Sequence, residues 1–436
     1  MTQQRFSGMR TFLIVWVGQL LSRFGTYMTA FGLFSIWLWE RTEKATALAL
    51  VSIIGIIGAI LAALIGGVLV DRFSRKALII IGDGVAGLGT TVFLILFTTD
   101  NLEVWHLYAG MGIIFFFNQI HGTAYSAAIT MMVPKAQHAR AGSLRFLTHY
   151  GAVIFAPPLA AALYGTIGLE GIMIVDILTV SAAIATVAFV EIPQPPESEA
   201  GRESRKNKLT EALFGFRYIW RSPSLRAMAG AMLLFTFAHD MGSVMHTPMI
   251  LSRTGNNVNV LAAVGTAAGL GGLTGAIYMS WRGGPQRRIK GWLIGSMGAG
   301  LAKSVFSLGR SILVWFPAQF LSSVNFPIRG GLIQSIWMSK IEPDVQGRFF
   351  AATDILGMTV SGLAQVIGAT LADQWIEPAM QPDGALSGSL GWLFGTGDGA
   401  GFAVIYFVTS ICLILIGFAG FFIPAIRNIE DLLVDY

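Results

Sequence analysis

The feature that most limits what this chain can become is a series of apolar stretches, each about 20 residues long, that runs from near residue 10 to near residue 424. A backbone in lipid must satisfy its own hydrogen bonds, so stretches of this length are read as membrane-spanning helices. Composition agrees: 54% of the 436 residues are apolar and 12% are charged, where a soluble domain carries about 25% charge. The spans are placed at 11–38, 46–70, 77–98, 104–133, 145–166, 171–191, 227–250, 258–280, 291–309, 312–337, 349–371 and 400–424. The expected fold class is all-α and integral to the membrane, with twelve transmembrane helices in two pseudo-symmetric six-helix bundles. No stretch between spans is long enough for a soluble catalytic domain. The first apolar segment, 12–39, is too long for a leader core and reads as a retained helix. The single cysteine, Cys412, provides neither a disulfide framework nor a thiolate metal site.

Twelve spans put both ends of the chain on one side, and the basic residues identify that side. Arg5, Arg10, Arg72, Arg75, Lys76, Lys135, Arg140, Arg145, the cluster from Arg202 to Arg226, the group from Arg282 to Lys290, Lys340, Arg348 and Arg427 fall there. The opposite loops hold only Arg41, Lys44, Arg253 and Arg310. The positive-inside rule makes the former side cytoplasmic, in the cell membrane. The formal charge of +5 is therefore scattered over short loops instead of gathered into a nucleic-acid patch. Residues 193–209 are rich in Pro, Glu, Arg and Lys and read as a flexible linker; 209–225 has apolar residues at helical spacing beside arginines, as an amphipathic helix on the inner membrane face would. The domains are thus 1–192, a six-helix bundle; 193–226, the linker with its helix; and 227–436, a second bundle.

The two bundles read as copies. After span 4 the chain runs VPKAQHARAG, with Pro134, Gln137 and Arg140; after span 10 it runs EPDVQGRFFA, with Pro343, Gln346 and Arg348. Spans 2 and 8 are both glycine-rich, with Gly55, Gly58, Gly66 and Gly67 against Gly265, Gly269, Gly271, Gly272 and Gly275. Small residues at these spacings let helices approach closely in lipid, and a duplicated six-helix unit is the plan of an alternating-access carrier.

Between spans 2 and 3, Gly67-Val-Leu-Val-Asp71-Arg72-Phe-Ser-Arg75-Lys76 resembles the Gly-x-x-x-Asp-Arg-x-x-Arg-Lys signature of the major facilitator superfamily. The resemblance extends over most of the chain. GQLLSRFGTYMTAF in span 1, the VPKAQHARAGSL loop, Asp176 in span 6, FRYIWRSPSLRAM before span 7, QGRFFAATDILG into span 11 and GTGDGAG before span 12 look like the macrolide-efflux branch, which includes siderophore exporters. The resemblance implies the major facilitator fold and a conformational latch made of Gly67, Asp71, Arg72, Arg75 and Lys76, with Arg140 and Arg348 as further members; Asp354 and Asp83, near cytoplasmic span ends, are read as part of that latch and not of the substrate site. Two departures stand out. Related drug:proton antiporters commonly have an arginine in span 4 where this chain has Asn118 and Gln119, and the span 5 Gly-Pro motif is replaced by Ala156-Pro157-Pro158.

Charged side chains inside a span cost about 2.5–3.5 kcal/mol on insertion scales, which makes them functional candidates. Gln19, Arg23 and Tyr27 recur at four-residue steps in span 1; Asn118, His121 and Tyr125 share a face of span 4; Ser243 and His246 lie with His239 in span 7; Ser322, Asn325 and Arg329 align in span 10. The resemblance places spans 1, 4, 7 and 10 around a central cavity, so these residues are the candidate substrate-cavity lining. Asp240 is read as the carboxylate nearest mid-membrane, because Asp83, Asp176 and Asp354 are taken to lie closer to span ends. It is the candidate proton carrier, with His239 as relay, since imidazole titrates near neutral pH. Lys303 is read as snorkelling to the end of span 9, and the loop 372–399 as a solvated lid. Gly395–Gly401 lacks the Lys-Ser/Thr of a phosphate loop, so no nucleotide site, cofactor or metal is expected.

The function expected is secondary active export of a small amphipathic compound, a drug, siderophore or similar natural product, by alternating access coupled to proton influx. Arg23, Lys303 and Arg329 set against Asp240 alone favour an anionic or zwitterionic cargo. The alternatives are a lipid or lysolipid transporter, or a sensor or channel on the same scaffold. An enzyme is not expected, because no nucleophile motif or metal-ligand spacing is present. Partners are the cargo, protons and membrane lipid, with no nucleic acid, and the chain is expected to be a monomer.

Overall fold

The computed structural model describes residues 8–134, 138–192, 208–282, 284–342 and 345–433. Residues 193–207 of the linker lie outside these residues, as do the surroundings of Gly67 and the side chains of Asp71, Arg72 and Arg140 that the latch reading invoked. The described chain is helical throughout its spans: α1 Met9–Ala30, α2 Ala45–Arg72, α3 Arg75–Thr98, α4 Val104–Met132, α5 His138–Phe189, α6 Lys208–Arg221, α7 Pro223–Ser243, α8 His246–Arg253, α9 Val258–Arg282, α10 Arg288–Leu308, α11 Ile312–Lys340, α12 Gln346–Leu371, α13 Ser387–Phe394 and α14 Ala400–Gly420.

Local chemistry sets the helix ends. Ser74 caps α3 by accepting the Ala77 amide at 3.0 Å, and Ser222 caps α7 ahead of Pro223. Span 1 continues past α1 as a π-helical stretch, Phe31–Trp37. The helix α5 holds spans 5 and 6, which meet at Gly168 with φ 69°, a left-handed conformation that glycine adopts without Cβ strain. Span 7 departs from the single helix 227–250 that was expected: it breaks at Val244 and Met245 into α7 and α8. The amphipathic segment ends at Arg221, and its apolar face is not given over to the membrane surface alone, because Ile219 is buried with Met228, Trp337 and Phe349.

The chain divides into two compact units, Met1–Thr42 with Leu50–Glu203, and Glu43–Ala49 with Ser204–Tyr436. The first has a core of Phe12, Val15, Ile79, Ala124, Ala128 and Val187; the second has one of Met228, Trp292, Leu293, Ile336 and Phe349. Close helix approaches repeat between them. Gly58 lies against the Gly112 carbonyl where α2 meets α4, as Gly271 and Gly275 lie against the Phe320 and Val324 carbonyls where α9 meets α11. Gly18 and Gly25 of α1 face Thr186 and Thr179, and Gly242 of α7 faces Thr409 of α14. Equivalent spans are thus joined at equivalent small residues, as a duplicated unit requires where packing must replace the hydrophobic drive.

Beyond α12 the segment 372–399 is a folded lid, not a merely solvated loop. Asp373 accepts the Ala45 and Thr46 amides at 3.0 and 2.7 Å, and Glu377 accepts the Phe402 amide at 3.1 Å and that of Gly399, capping α14. Gly395, Gly397 and Gly399 have φ of 82°, 88° and 82°, so the glycines of this stretch serve a tight reversal. Arg253 ties the lid down, donating to the Gly309 carbonyl at 2.8 Å and the Phe394 carbonyl at 2.7 Å. Burial, and secondarily the Arg310 guanidinium, lower it to about 10, with the Glu377 carboxylate opposing. A charged donor is worth about 1.5–3 kcal/mol per bond. Arg253→Met should therefore reduce amide protection across 387–399 by about tenfold or more in hydrogen exchange, leaving α3 and α4 unchanged.

Candidate functional site

By length and apolarity alone, six described helices qualify as spans, and they cover spans 2, 3, 5, 6, 8, 11 and 12. Spans 1, 4, 7, 9 and 10 fall short because polar and charged side chains interrupt them. Within each unit some of those side chains meet.

In the second unit, α7, α10, α11, α12 and α14 contribute. Asp240 bonds to Ser361 of α12, its carboxylate is 3.9 Å from His239 Nε2, and Lys303 acts on it electrostatically. His239 lies against Phe326, with ring centroids 4.5 Å apart, and its Nδ1 is buried without a hydrogen-bond partner. His246 begins α8 and stacks on Phe306 at 5.4 Å, its Nε2 likewise buried and unpartnered. Lys303 does not snorkel. It is 5% exposed, with Nζ 3.1 Å from the Tyr406 hydroxyl and 4.8 Å from that ring's centre.

Arg329 occupies an aromatic cage. Its guanidinium carbon is 3.3 Å from the Phe235 ring centre, 5.0 Å from that of Trp292 and 5.8 Å from that of Phe326, while Nε donates to the Ser296 hydroxyl at 2.9 Å. Cation–π contacts of this kind stabilise a desolvated guanidinium by about 2 kcal/mol or more and leave its outer N–H groups geometrically unspent. Among the described residues, neither Arg329 nor Lys303 has a carboxylate within salt-bridge distance. Ser322 is 1% exposed with an unpartnered hydroxyl; Asn325 donates back to the Leu321 carbonyl; Ser243 donates to the Asp240 carbonyl.

In the first unit, Gln19, His121 and Tyr125 are buried and converge on Asp83, whereas Arg23 and Asn118 are half-buried. Tyr27 packs beside Met28, Ala156 and Ile172, away from that cluster. Asp83 and Asp176 each lie eight residues inside their helical segments, about 12 Å from the start. In a hydrocarbon layer of about 30 Å that is deep, so the reading of both as span-end residues is corrected. Asp176 is 1% exposed and accepts the hydroxyls of Thr26 and Thr90 at 3.2 and 2.9 Å. The deep charges consequently include two carboxylates the sequence reading left out, and its excess of positive charge survives only locally, in the second unit.

The remaining latch candidates are spread out. Arg75 donates to the Ala127 carbonyl and Lys76 to those of Ala188 and Val190, all inside the first unit. Gln346 of the repeated loop holds the end of α11 through the Met338 and Ile341 carbonyls, and Arg348 is exposed. Asp354 borders a cleft of about 350 Å³ with Met232, Gln334, Trp337, Phe350 and Met358. No group of His, Cys, Asp and Glu suited to a metal occurs among the described residues.

Comparison with known proteins agrees with this architecture. Residues 15–369 match the model of the Major Facilitator Superfamily. Macrolide efflux protein A of Streptococcus pyogenes is 24% identical over 370 residues, covering 83% of this chain and 89% of that protein. The enterobactin exporter EntS of Escherichia coli O1:K1 is 27% identical over 255 residues, 56% of this chain and 57% of that one. The crystal structure of a bacterial homologue of the human lysosomal transporter Spinster, inward-facing and unoccupied, superposes with a TM-score of 0.69 at 14% identity, over 97% of both chains. With the helical repeat, the buried charges and the family match in hand, the chain belongs to the major facilitator superfamily, a family of multi-pass membrane transporters and not of enzymes.

Proposed function

We propose that this chain exports a small amphipathic anion or zwitterion from the cell by alternating access, driven by proton influx, with both termini cytoplasmic. The observation that carries the cargo class is the caged Arg329, a guanidinium with no carboxylate partner among the described residues, whose outer N–H groups can receive a carboxylate or phenolate. Phe235, Trp292 and Phe326 around it offer apolar surface to the rest of such a molecule. The relatives named for macrolide and enterobactin efflux support export of a natural-product-sized compound. Gln19, Arg23, Tyr27, Asn118, His121, Tyr125, Ser243, His246, Ser322 and Asn325 are the further cavity candidates, and Asp240 with His239 carries the coupling proton. The basic loops support the orientation.

The test is flux in proteoliposomes with an anionic and a cationic amphiphile, taurocholate and erythromycin, with and without a pH gradient. Gradient-dependent transport that prefers taurocholate is expected; equal or reversed preference overturns the cargo class, and indifference to the gradient overturns the coupling. Arg329→Gln removes charge-assisted hydrogen bonds worth about 1.5–3 kcal/mol, so the taurocholate-to-erythromycin ratio should fall by about tenfold or more.

A further inference from the structure

Three helices of the first unit bring their polar side chains to one carboxylate. Gln19 of α1 donates Nε2–H to Asp83 Oδ2 at 2.7 Å, and His121 of α4 places Nε2 3.2 Å from Asp83 Oδ1, off the axis of a linear hydrogen bond. Asp83 is 7% exposed and His121 4%. Tyr125 stacks on the imidazole, with centroids 6.0 Å apart and planes at 25°. The junction exists because α3 has glycine beside Asp83: a Cβ on Gly82 would be 2.6 Å from the Cβ of His121.

The second unit builds the same junction from equivalent helices with different chemistry. Gly295 of α10 lies beneath Arg329 of α11, a Cβ there falling 2.8 Å from Arg329 Cγ. Ser296 follows Gly295 as Asp83 follows Gly82, and it accepts from Arg329 as Asp83 faces His121. One copy of the duplicated unit thus holds a permanent cation against a hydroxyl, and the other holds two groups that can each gain or lose a proton.

We propose that Asp83 and His121 form a proton-binding site in the first unit, exchanging one shared proton, as the titrating counterpart of the fixed charge on Arg329. With that proton bound the pair is neutral overall, the state that low-dielectric surroundings favour; without it a net negative charge stays on the carboxylate, held by the Gln19 amide. Among the described side chains, the other charged or titratable groups on the helices around them are Arg10, Arg23 and Tyr27 on α1, Arg75 and Lys76 at the start of α3, bound to backbone carbonyls, His106, Tyr108 and Tyr125 on α4, and Tyr164, Glu170 and Asp176 on α5, the last held by Thr26 and Thr90. None of them makes a salt bridge to Asp83 or His121 among the described residues. Asp240 belongs to the other unit.

The experiment counts protons. Purified full-length protein in detergent, without buffer, is titrated from about pH 5 to pH 8, the range in which imidazole changes charge. Asp83→Asn, His121→Gln and the double variant are titrated alongside it. The wild type should release about one proton per molecule more than the double variant, and the two single losses should not add, because one proton is shared. Equal counts for wild type and double variant overturn the proposal, as do single losses that add. If the double variant does not fold, Asp83→Asn is compared with Asp83→Glu: the glutamate should restore the lost proton, and failure to do so also overturns it. The count involves no transport, so its outcome is separate from the fate of the export assignment.

Discussion

Exchange of Asp240 for asparagine is expected to reduce pH-gradient-driven transport of taurocholate in proteoliposomes by about 5–150-fold, the range that coupling free energies of 1–3 kcal/mol produce. The amide is isosteric and can still bond to Ser361, so the helix contact survives while the ability to gain and lose a proton is removed. The carboxylate stands 3.9 Å from His239 and within electrostatic reach of Lys303, so its charge state alters the balance of a buried, mostly cationic cluster. Exchange of taurocholate without a gradient should persist, since that half-cycle needs no net proton movement. Unchanged gradient-driven transport in Asp240→Asn removes the aspartate from the coupling path. Loss of both activities assigns it to folding or cargo binding instead.

The second large effect is structural. Gly275→Val should leave little folded protein, while Gly230→Val should leave most of it, measured as monodisperse yield and melting temperature in one detergent. A Cβ on Gly275 would overlap the Val324 carbonyl oxygen of α11, a backbone atom that cannot rotate away, whereas a Cβ on Gly230 meets nothing within 4 Å. Overpacking a well-formed contact costs about 1–3 kcal/mol or more, against a total stability of about 5–15 kcal/mol. The control matters because both substitutions carry the same helix-propensity change in a helix interior. Similar yields from the two variants would show that the approach of α9 to α11 is not needed for folding.

How much of this was legible beforehand follows from where each signal resides. The polar stripes of spans 1, 4, 7 and 10 were readable because a residue and its neighbours three or four positions on share a helix face. The contacts of Asp83 were not, since span 3 shows only one carboxylate and nothing in its own periodicity points to Gln19 or His121. The one available clue was depth: eight residues past Arg75 is too far inside a span for a residue at its end. Lys303 misled for a related reason. Its distance from the end of span 9 permits snorkelling, and only the presence of Tyr406 on another helix turns the side chain inward.

The sequence by itself determined that the chain is a duplicated, many-spanning membrane bundle, because hydrocarbon leaves a backbone few ways to satisfy its hydrogen bonds and short loops must separate the apolar runs. Tertiary structure alone decided which buried charges meet. The rotation of each helix about its axis sets whether a side chain finds a carboxylate, an aromatic ring or a hydroxyl, and that rotation is fixed by glycine contacts between packed helices, such as Gly82 with His121 and Gly295 with Arg329.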